Sequence, residues 1–242
     1  MSKTAIIIPA RYGSSRLEGK PLIKVLDKPI IQWVYEKAMM SKEADIIIVA
    51  TDDKRIYDAV KEFGGNVEMT SVEHKCGSDR IKEVVMRHPE ISYVVNLQGD
   101  EPLIKPESID EVAKNVKFDS ADISTLIRKI TPQEAENPNL VKCIVDKNGY
   151  AMYFSRSKIP FERNAGKADF YGHLGIYGYK RESLIKMTEM PQTTYEMAES
   201  LEQLRALQNG MKIKTSVVDF VPVGIDTADD LEKFKKIVEK SL

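Results

Sequence analysis

Ala5-Ile6-Ile7-Ile8-Pro9-Ala10 is an apolar run with no polar alternation, the pattern of a strand covered on both faces. A polar loop rich in Gly and Ser follows it, and then Ile30 to Ala38 shows helical spacing. Asp45-Ile46-Ile47-Ile48-Val49-Ala50-Thr51 repeats the buried-strand pattern. Asp52 or Asp53 can cap the helix that runs on towards Phe63, and Gly64-Gly65 ends it. Ser78 to Arg87 reads as another helix and Ser92 to Leu97 as another strand. This β-α-β-α order predicts an α/β fold with a mostly parallel central sheet and helices on both faces. Right-handed crossovers then gather the loops that leave the strands along one edge, where ligands of such sheets bind.

After about Asn137 the pattern changes. Val141 to Val145 and Tyr150 to Ser155 flank Asp146-Lys147-Asn148-Gly149 and predict a hairpin, because Asn-Gly suits a tight turn. His173 to Tyr179 reads as a strand, Tyr195 to Gln208 as one helix, Ile213 to Val217 as a short strand, and Ala228 to Lys240 as a closing helix. With no repeat or linker-like tract, residues 1–242 read as a single domain. Residues from about 138 to 195 read as an inserted antiparallel portion.

Thirty-six Lys and Arg against thirty-seven Asp and Glu leave a net charge of -1, so a general nucleic-acid binder is not expected. No apolar run approaches the roughly 18 residues of a membrane span, and no membrane insertion is expected. A charged segment followed by an apolar one and a cleavage site is also missing at the N-terminus, so no secretory signal is read. Two cysteines, Cys76 and Cys143, are too few for a disulfide framework and fit a reducing, cytoplasmic setting.

Three segments carry chemistry. Pro9 to Leu22 leaves the first strand, and its Gly and Ser residues let backbone N–H groups approach an anion. Arg11, Arg16 and Lys20 add three cations, a composition suited to a triphosphate. It is not a Walker loop: Gly13 and Gly19 are one residue too far apart, and Pro21 stands where the metal-binding Ser or Thr belongs. In Asn96-Leu97-Gln98-Gly99-Asp100-Glu101-Pro102, Asp100 is placed as a hard oxygen ligand for Mg²⁺, although a turn cap explains it equally well. In Gly224-Ile225-Asp226-Thr227-Ala228-Asp229-Asp230, Thr227 and Asp230 form a capping-box pattern, which leaves Asp226 able to point elsewhere. His74, His88 and His173 are scattered, and no nucleophile elbow or Cys-His pair is present.

Together with Tyr150 to Pro160, His173 to Tyr179 and Leu201 to Arg205, these segments resemble the 3-deoxy-manno-octulosonate cytidylyltransferases, over essentially the whole chain. Pro9 to Leu22 alone marks the wider sugar nucleotidyltransferase superfamily. The runs Tyr153 to Pro160 and His173 to Tyr179 belong more narrowly to the Kdo enzymes. The resemblance implies the Rossmann-like, three-layer fold of the nucleotide-diphospho-sugar transferases. It implies the reaction of CTP with Kdo to give CMP-Kdo and pyrophosphate in the cytoplasmic stage of lipopolysaccharide biosynthesis, with Mg²⁺. It also implies a homodimer in which the antiparallel portion helps to form the contact, and the hairpin itself offers an apolar surface for it in residues such as Tyr150, Met152 and Phe154. By the match of motifs, Lys20, Asp100 and Asp226 would be catalytic, the two carboxylates holding metal. Ala10, Arg11, Gly13, Arg16, Lys20, Cys76, Gly77, Ser78 and Arg80 would bind CTP. Gln98, Arg156, His173, Tyr177, Glu202 and Gln203 would line the sugar site. Glu18 departs from the Pro usual in the first motif, and His74 to Arg80 departs from the relatives' His-x-Ser-Gly-Thr-Glu-Arg. A cytidylyltransferase for another acidic sugar, a glycosyltransferase of similar sheet and a silent nucleotide-binding domain are the competing readings.

Overall fold

The computed structural model describes residues 2–13, 17–164, 166–221 and 223–240. Two compact units divide the chain: Met1–Asp110 with Pro222–Leu242, and Glu111–Val221. The first unit begins with β1 (Lys3–Ala10), a short hairpin of β2 (Lys24–Val25) and β3 (Lys28–Pro29), and α1 (Ile30–Met39). It continues through β4 (Ile46–Thr51), α2 (Lys54–Glu62), β5 (Val67–Met69), α3 (Gly77–Arg87) and β6 (Ile91–Asn96). The strands lie in the order β6-β1-β4-β5, and each neighbouring pair is parallel.

Ala5, Ile6, Ile7 and Ile8 are consecutive and all fully buried, so both faces of β1 are covered and no alternation is needed. The register sets Ala10 beside Thr51 and Ile7 beside Asn96. The three loops that leave β1, β4 and β6 therefore start from one edge, as the element order predicts. α2 is capped by Asp53, whose carboxylate accepts from the Arg55 N–H at 2.9 Å, and Gly64 turns the chain out of the helix at φ +80°.

α4 (Pro106–Phe118) carries the chain into the second unit. That unit holds β7 (Ile123–Ile130), β8 (Lys142–Val145), β9 (Ala151–Ser155), β10 (Phe170–Lys180), α5 (Arg181–Glu189), α6 (Thr194–Glu199), α7 (Gln203–Gln208) and β11 (Ile213–Val217). β7 pairs antiparallel with β10 and parallel with β11, while β8 pairs antiparallel with β9 and β10. The β8–β9 hairpin turns at Gly149, φ +79°, as Asn148-Gly149 predicts. The antiparallel strands expected over about 138–195 fall within this unit. The last helix, α8 (Ala228–Glu239), belongs to the first unit, where Phe234 and Val238 pack with Val25, Ile30 and Ile225.

Two expectations are corrected. Tyr195 to Gln208 is not one helix: α6 ends at Ser200, which takes a left-handed conformation (φ 52°), and α7 starts afresh at Gln203. Phe154 is not surface but fully buried, its ring 5.1 Å from that of His173, while Met152 beside it is 63% exposed. Among the described residues no helix is long and apolar enough to cross a membrane.

Candidate active site

The first unit has a cleft of about 470 Å³ where the loops leave β1 and β6. Ala10 and Arg11 at the end of β1, Lys20 and Pro21 in a 3-10 turn, and His74 to Gly77 with Arg80 at the start of α3 form part of its wall. Gln98, Gly99 and Asp100 beyond β6, and Asp226 before α8, complete the wall. Close approach explains the glycines. A Cβ on Gly99 would stand 3.1 Å from the Pro9 carbonyl oxygen, and Gly19, at φ +65°, has the Tyr12 ring 3.0 Å from where its Cβ would be. The Tyr12 ring is in turn covered by the Arg55 guanidinium at 3.2 Å, which pins this loop to α2.

Lys20, Asp100 and Asp226 come together although up to 206 residues separate them. The Lys20 side chain is 12% exposed, and its ammonium donates to Asp100 Oδ2 at 2.6 Å and to Asp226 Oδ1 at 3.1 Å. The Ile225 N–H donates to the Asp100 carbonyl at 2.9 Å and so ties the two acidic loops to each other. Thr227 and Asp230 form the predicted capping box, so Asp226 is not needed to start α8. Glu101 lies next to Asp100 with Oε2 buried and unpartnered among the described residues. Burial, with the Asp100 charge adding to it, pushes its carboxyl up to about 7.

Of the expected nucleotide residues, Ala10, Arg11, Lys20, Cys76, Gly77 and Arg80 line the cleft. Gly13 is exposed outside its wall, and Ser78 is buried in the core instead. Arg16 lies outside the described residues. Arg80, expected at the nucleotide, is not a free cation. It is 4% exposed, and its guanidinium is held by Asp52 Oδ2 at 2.6 Å and by the Thr70 hydroxyl. Asp52, read from sequence only as a helix cap, is thus the residue that holds it. Gln98, expected at the sugar, stands in the same wall as Lys20 and Asp100.

The second unit gathers the other sugar candidates. His173 and Tyr177 on β10 have ring centres 5.2 Å apart. The register of β10 against β7 shifts between Leu174 and Tyr177, and Thr125 fills the irregularity. Its hydroxyl donates to the Ile176 carbonyl at 2.7 Å, so it must accept from His173 Nε2 at 3.0 Å. That fixes the Nε2–H tautomer and leaves Nδ1 an acceptor. Burial pushes the His173 pKa down to about 3, so the ring is neutral at ordinary pH. Burial also raises the Tyr177 phenol, helped by the nearby Tyr179 and Glu202, and keeps it a donor. Gln203 Nε2 is buried without a partner among the described residues, as a donor reserved for a ligand would be. Arg156 is half-buried at the end of β9, with Nε donating to the Glu199 carbonyl at 2.7 Å and Nη1 to the Pro138 carbonyl at 3.3 Å.

A family model described as cytidylyltransferase matches residues 5–213. A 3-deoxy-manno-octulosonate cytidylyltransferase from Thermodesulfovibrio yellowstonii is 49% identical, over 96% of this chain and 97% of its own. One from Escherichia coli is 44% identical, over 100% and 98%. A solved structure of CMP:2-keto-3-deoxy-manno-octonic acid synthetase complexed with CTP covers 100% of both chains, with a TM-score of 0.96 and 43% identity. With this kinship over its whole length, the chain belongs to the cytidylyltransferase family, among the 3-deoxy-manno-octulosonate cytidylyltransferases.

Proposed function

We propose that the protein transfers a cytidylyl group from CTP to Kdo, giving CMP-Kdo and pyrophosphate for lipopolysaccharide biosynthesis in the cytoplasm, with Mg²⁺ as cofactor. The observation that carries this reading is the meeting of Lys20, Asp100 and Asp226 beside Arg11 in one cleft. Since both carboxylates reach one nitrogen, a single cation in that place meets two hard oxygen donors. Mg²⁺ takes one or two carboxylates and fills its remaining shell with water and phosphate oxygens, so the residues fit it. When bound, the metal would offset phosphate charge and acidify the attacking hydroxyl.

The chain's own residues do the positioning, which is most of what phosphoryl-type transfer requires. Arg11, Lys20 and the N-terminus of α3 would hold the triphosphate, whose α-phosphorus receives an in-line attack from the anomeric hydroxyl. Arg156 would pair with the sugar carboxylate, His173 Nδ1 would accept from a sugar hydroxyl, and Tyr177, Glu202 and Gln203 would bind others. Pyrophosphate release, assayed with each nucleoside triphosphate against Kdo, its 8-amino analogue and sialic acid, tests the reading. Release is expected with CTP and Kdo, only when Mg²⁺ is present. Robust release with sialic acid and none with Kdo would overturn the assignment.

The homodimer belongs to the same proposal. Its support is the exposure of Met152 on β9 (63%) and of Phe161 beyond it (88%), apolar side chains that a second copy would cover. Light scattering at micromolar concentration is expected to give twice the chain mass, and a monomer mass would refute it.

A further inference from the structure

Lys142, at the start of β8, is fully buried, a rare state for a lysine unless its ammonium is satisfied. Its three protons go to three carbonyl oxygens: Asn137 at 2.9 Å, Leu140 at 2.7 Å and Arg156 at 2.5 Å. Two of these belong to one short loop, and Pro138, which lies between them, accepts from Arg156 Nη1. One nitrogen therefore fixes both the backbone from which Arg156 springs and the loop that receives the far end of its guanidinium. Glu199 grips the same residue from the other side. Its carboxylate accepts from the Arg156 N–H at 2.9 Å and from the Ser155 hydroxyl at 2.6 Å, and its carbonyl takes Arg156 Nε.

A role confined to joining the hairpin to the loop would not require both ends of one guanidinium to be held. An apolar side chain of the same length would leave the Asn137, Leu140 and Arg156 carbonyl oxygens without this donor, so the ammonium is what allows the loop and the Arg156 backbone to meet. Desolvation pushes the Lys142 pKa down, and the three carbonyl bonds offset that cost while fixing Arg156 and the loop to one another. We propose that Lys142 and Glu199 are positioning residues that hold the Arg156 guanidinium in place to receive the carboxylate of the acceptor sugar. The inference rests on the reading of Arg156 as the sugar's carboxylate partner. Held at Nε and Nη1, the guanidinium keeps Nη2 without a partner among the described residues, ready for one carboxylate oxygen.

The test is initial-rate kinetics, with CTP and Kdo both varied, for Lys142→Met, Glu199→Gln, Arg156→Ala and the two doubles that contain Arg156→Ala. Each single positioning variant is expected to raise the KM for Kdo roughly tenfold, the effect of misplacing one charge-assisted hydrogen bond, with the KM for CTP unchanged. In the Arg156→Ala background neither is expected to raise it further, because residues that act through one group are not additive. Equal effects on CTP and Kdo, or a full further rise in the double variants, would reduce Lys142 and Glu199 to structural residues. A Kdo KM unaffected by Arg156→Ala would remove the sugar-site reading, and this inference with it. If Lys142→Met does not fold, Glu199→Gln, at a half-exposed position, decides by the same two criteria.

Discussion

Asp226→Asn is expected to lower turnover on the order of 100-fold while changing the KM for Kdo by no more than about threefold, which is the outcome when one electrostatic partner of the transition state is lost. Asn has nearly the shape of Asp, and α8 starts from the Thr227–Asp230 capping box rather than from Asp226. The Ile225 N–H remains on the Asp100 carbonyl, so the backbone of both acidic loops stays in place. What changes is one negative charge beside the Lys20 ammonium. Asp100→Asn is expected to behave alike, since its carboxylate is the nearer of the two to that ammonium. Glu202→Gln and Gln203→Ala supply the contrast: each should raise the Kdo requirement and leave CTP affinity alone. Steady-state kinetics with both substrates varied separate the two classes. Near-normal turnover of Asp226→Asn at saturating Mg²⁺ would return Asp226 to a helix-start role.

The parts of the fold that were legible in the sequence are those whose burial leaves a simple trace. β1 is buried on both faces through Ala5 to Ile8 and β4 from Ile48 onward, and both appear as unbroken apolar runs. β7 left no such trace, because Ser124 and Thr125 are buried polar residues that spend their hydroxyls on carbonyls of neighbouring segments. β5 is only three residues long, too short for any periodicity to show. The break at Ser200 was hidden for another reason: a left-handed residue that is neither Gly nor Asn carries no compositional mark.

The site divides along similar lines. Arg11, Lys20 and Asp100 follow buried strands, and strand ends are where α/β sheets bind ligands, so their position alone made them candidates. Asp226 had no such clue and depended on resemblance until its contact with Lys20 was seen. Long-range pairing is what a linear reading misses most. Arg80, matched by motif to the nucleotide, is held by Asp52, while Lys142, within the expected hairpin strand, holds both the Arg156 carbonyl and the loop carbonyls of Asn137 and Leu140. In both cases the partner is distant in sequence or is a backbone carbonyl, and neither kind of partner has a motif.

Arg205 shows the same point with the largest expected effect on stability. It lies within Leu201 to Arg205, a run matched to the family's sugar-site motif, yet it is 7% exposed and bonded to Glu196, with Nε on Oε2 at 2.9 Å and Nη2 on Oε1 at 2.5 Å. Arg205→Met would leave the Glu196 charge buried without its partner, a loss of about 3–5 kcal/mol and a fall in Tm on the order of 10 °C for a chain of this size. The pH dependence follows from the carboxyl. Burial alone pushes the Glu196 pKa up, but Arg205 and the Thr193 N–H outweigh it and hold the pKa below its ordinary value. A depressed folded-state pKa contributes stability that is present above the unfolded value and lost as pH falls through the folded one. In Arg205→Met burial is no longer outweighed, the folded pKa rises, and the penalty applies only while Glu196 is ionised. The gap in Tm between the variant and the parent is therefore expected to be widest near pH 8 and to narrow towards about pH 5, as the carboxyl takes up its proton. Adding Glu196→Gln to Arg205→Met removes the stranded charge, keeps an oxygen for the Thr193 N–H, and should restore part of the loss at neutral pH. Thermal melts of the parent and the two variants across that range decide the matter. A gap that stays constant with pH would mean that the lost packing of the Arg205 stem, and not the buried charge of Glu196, sets the cost.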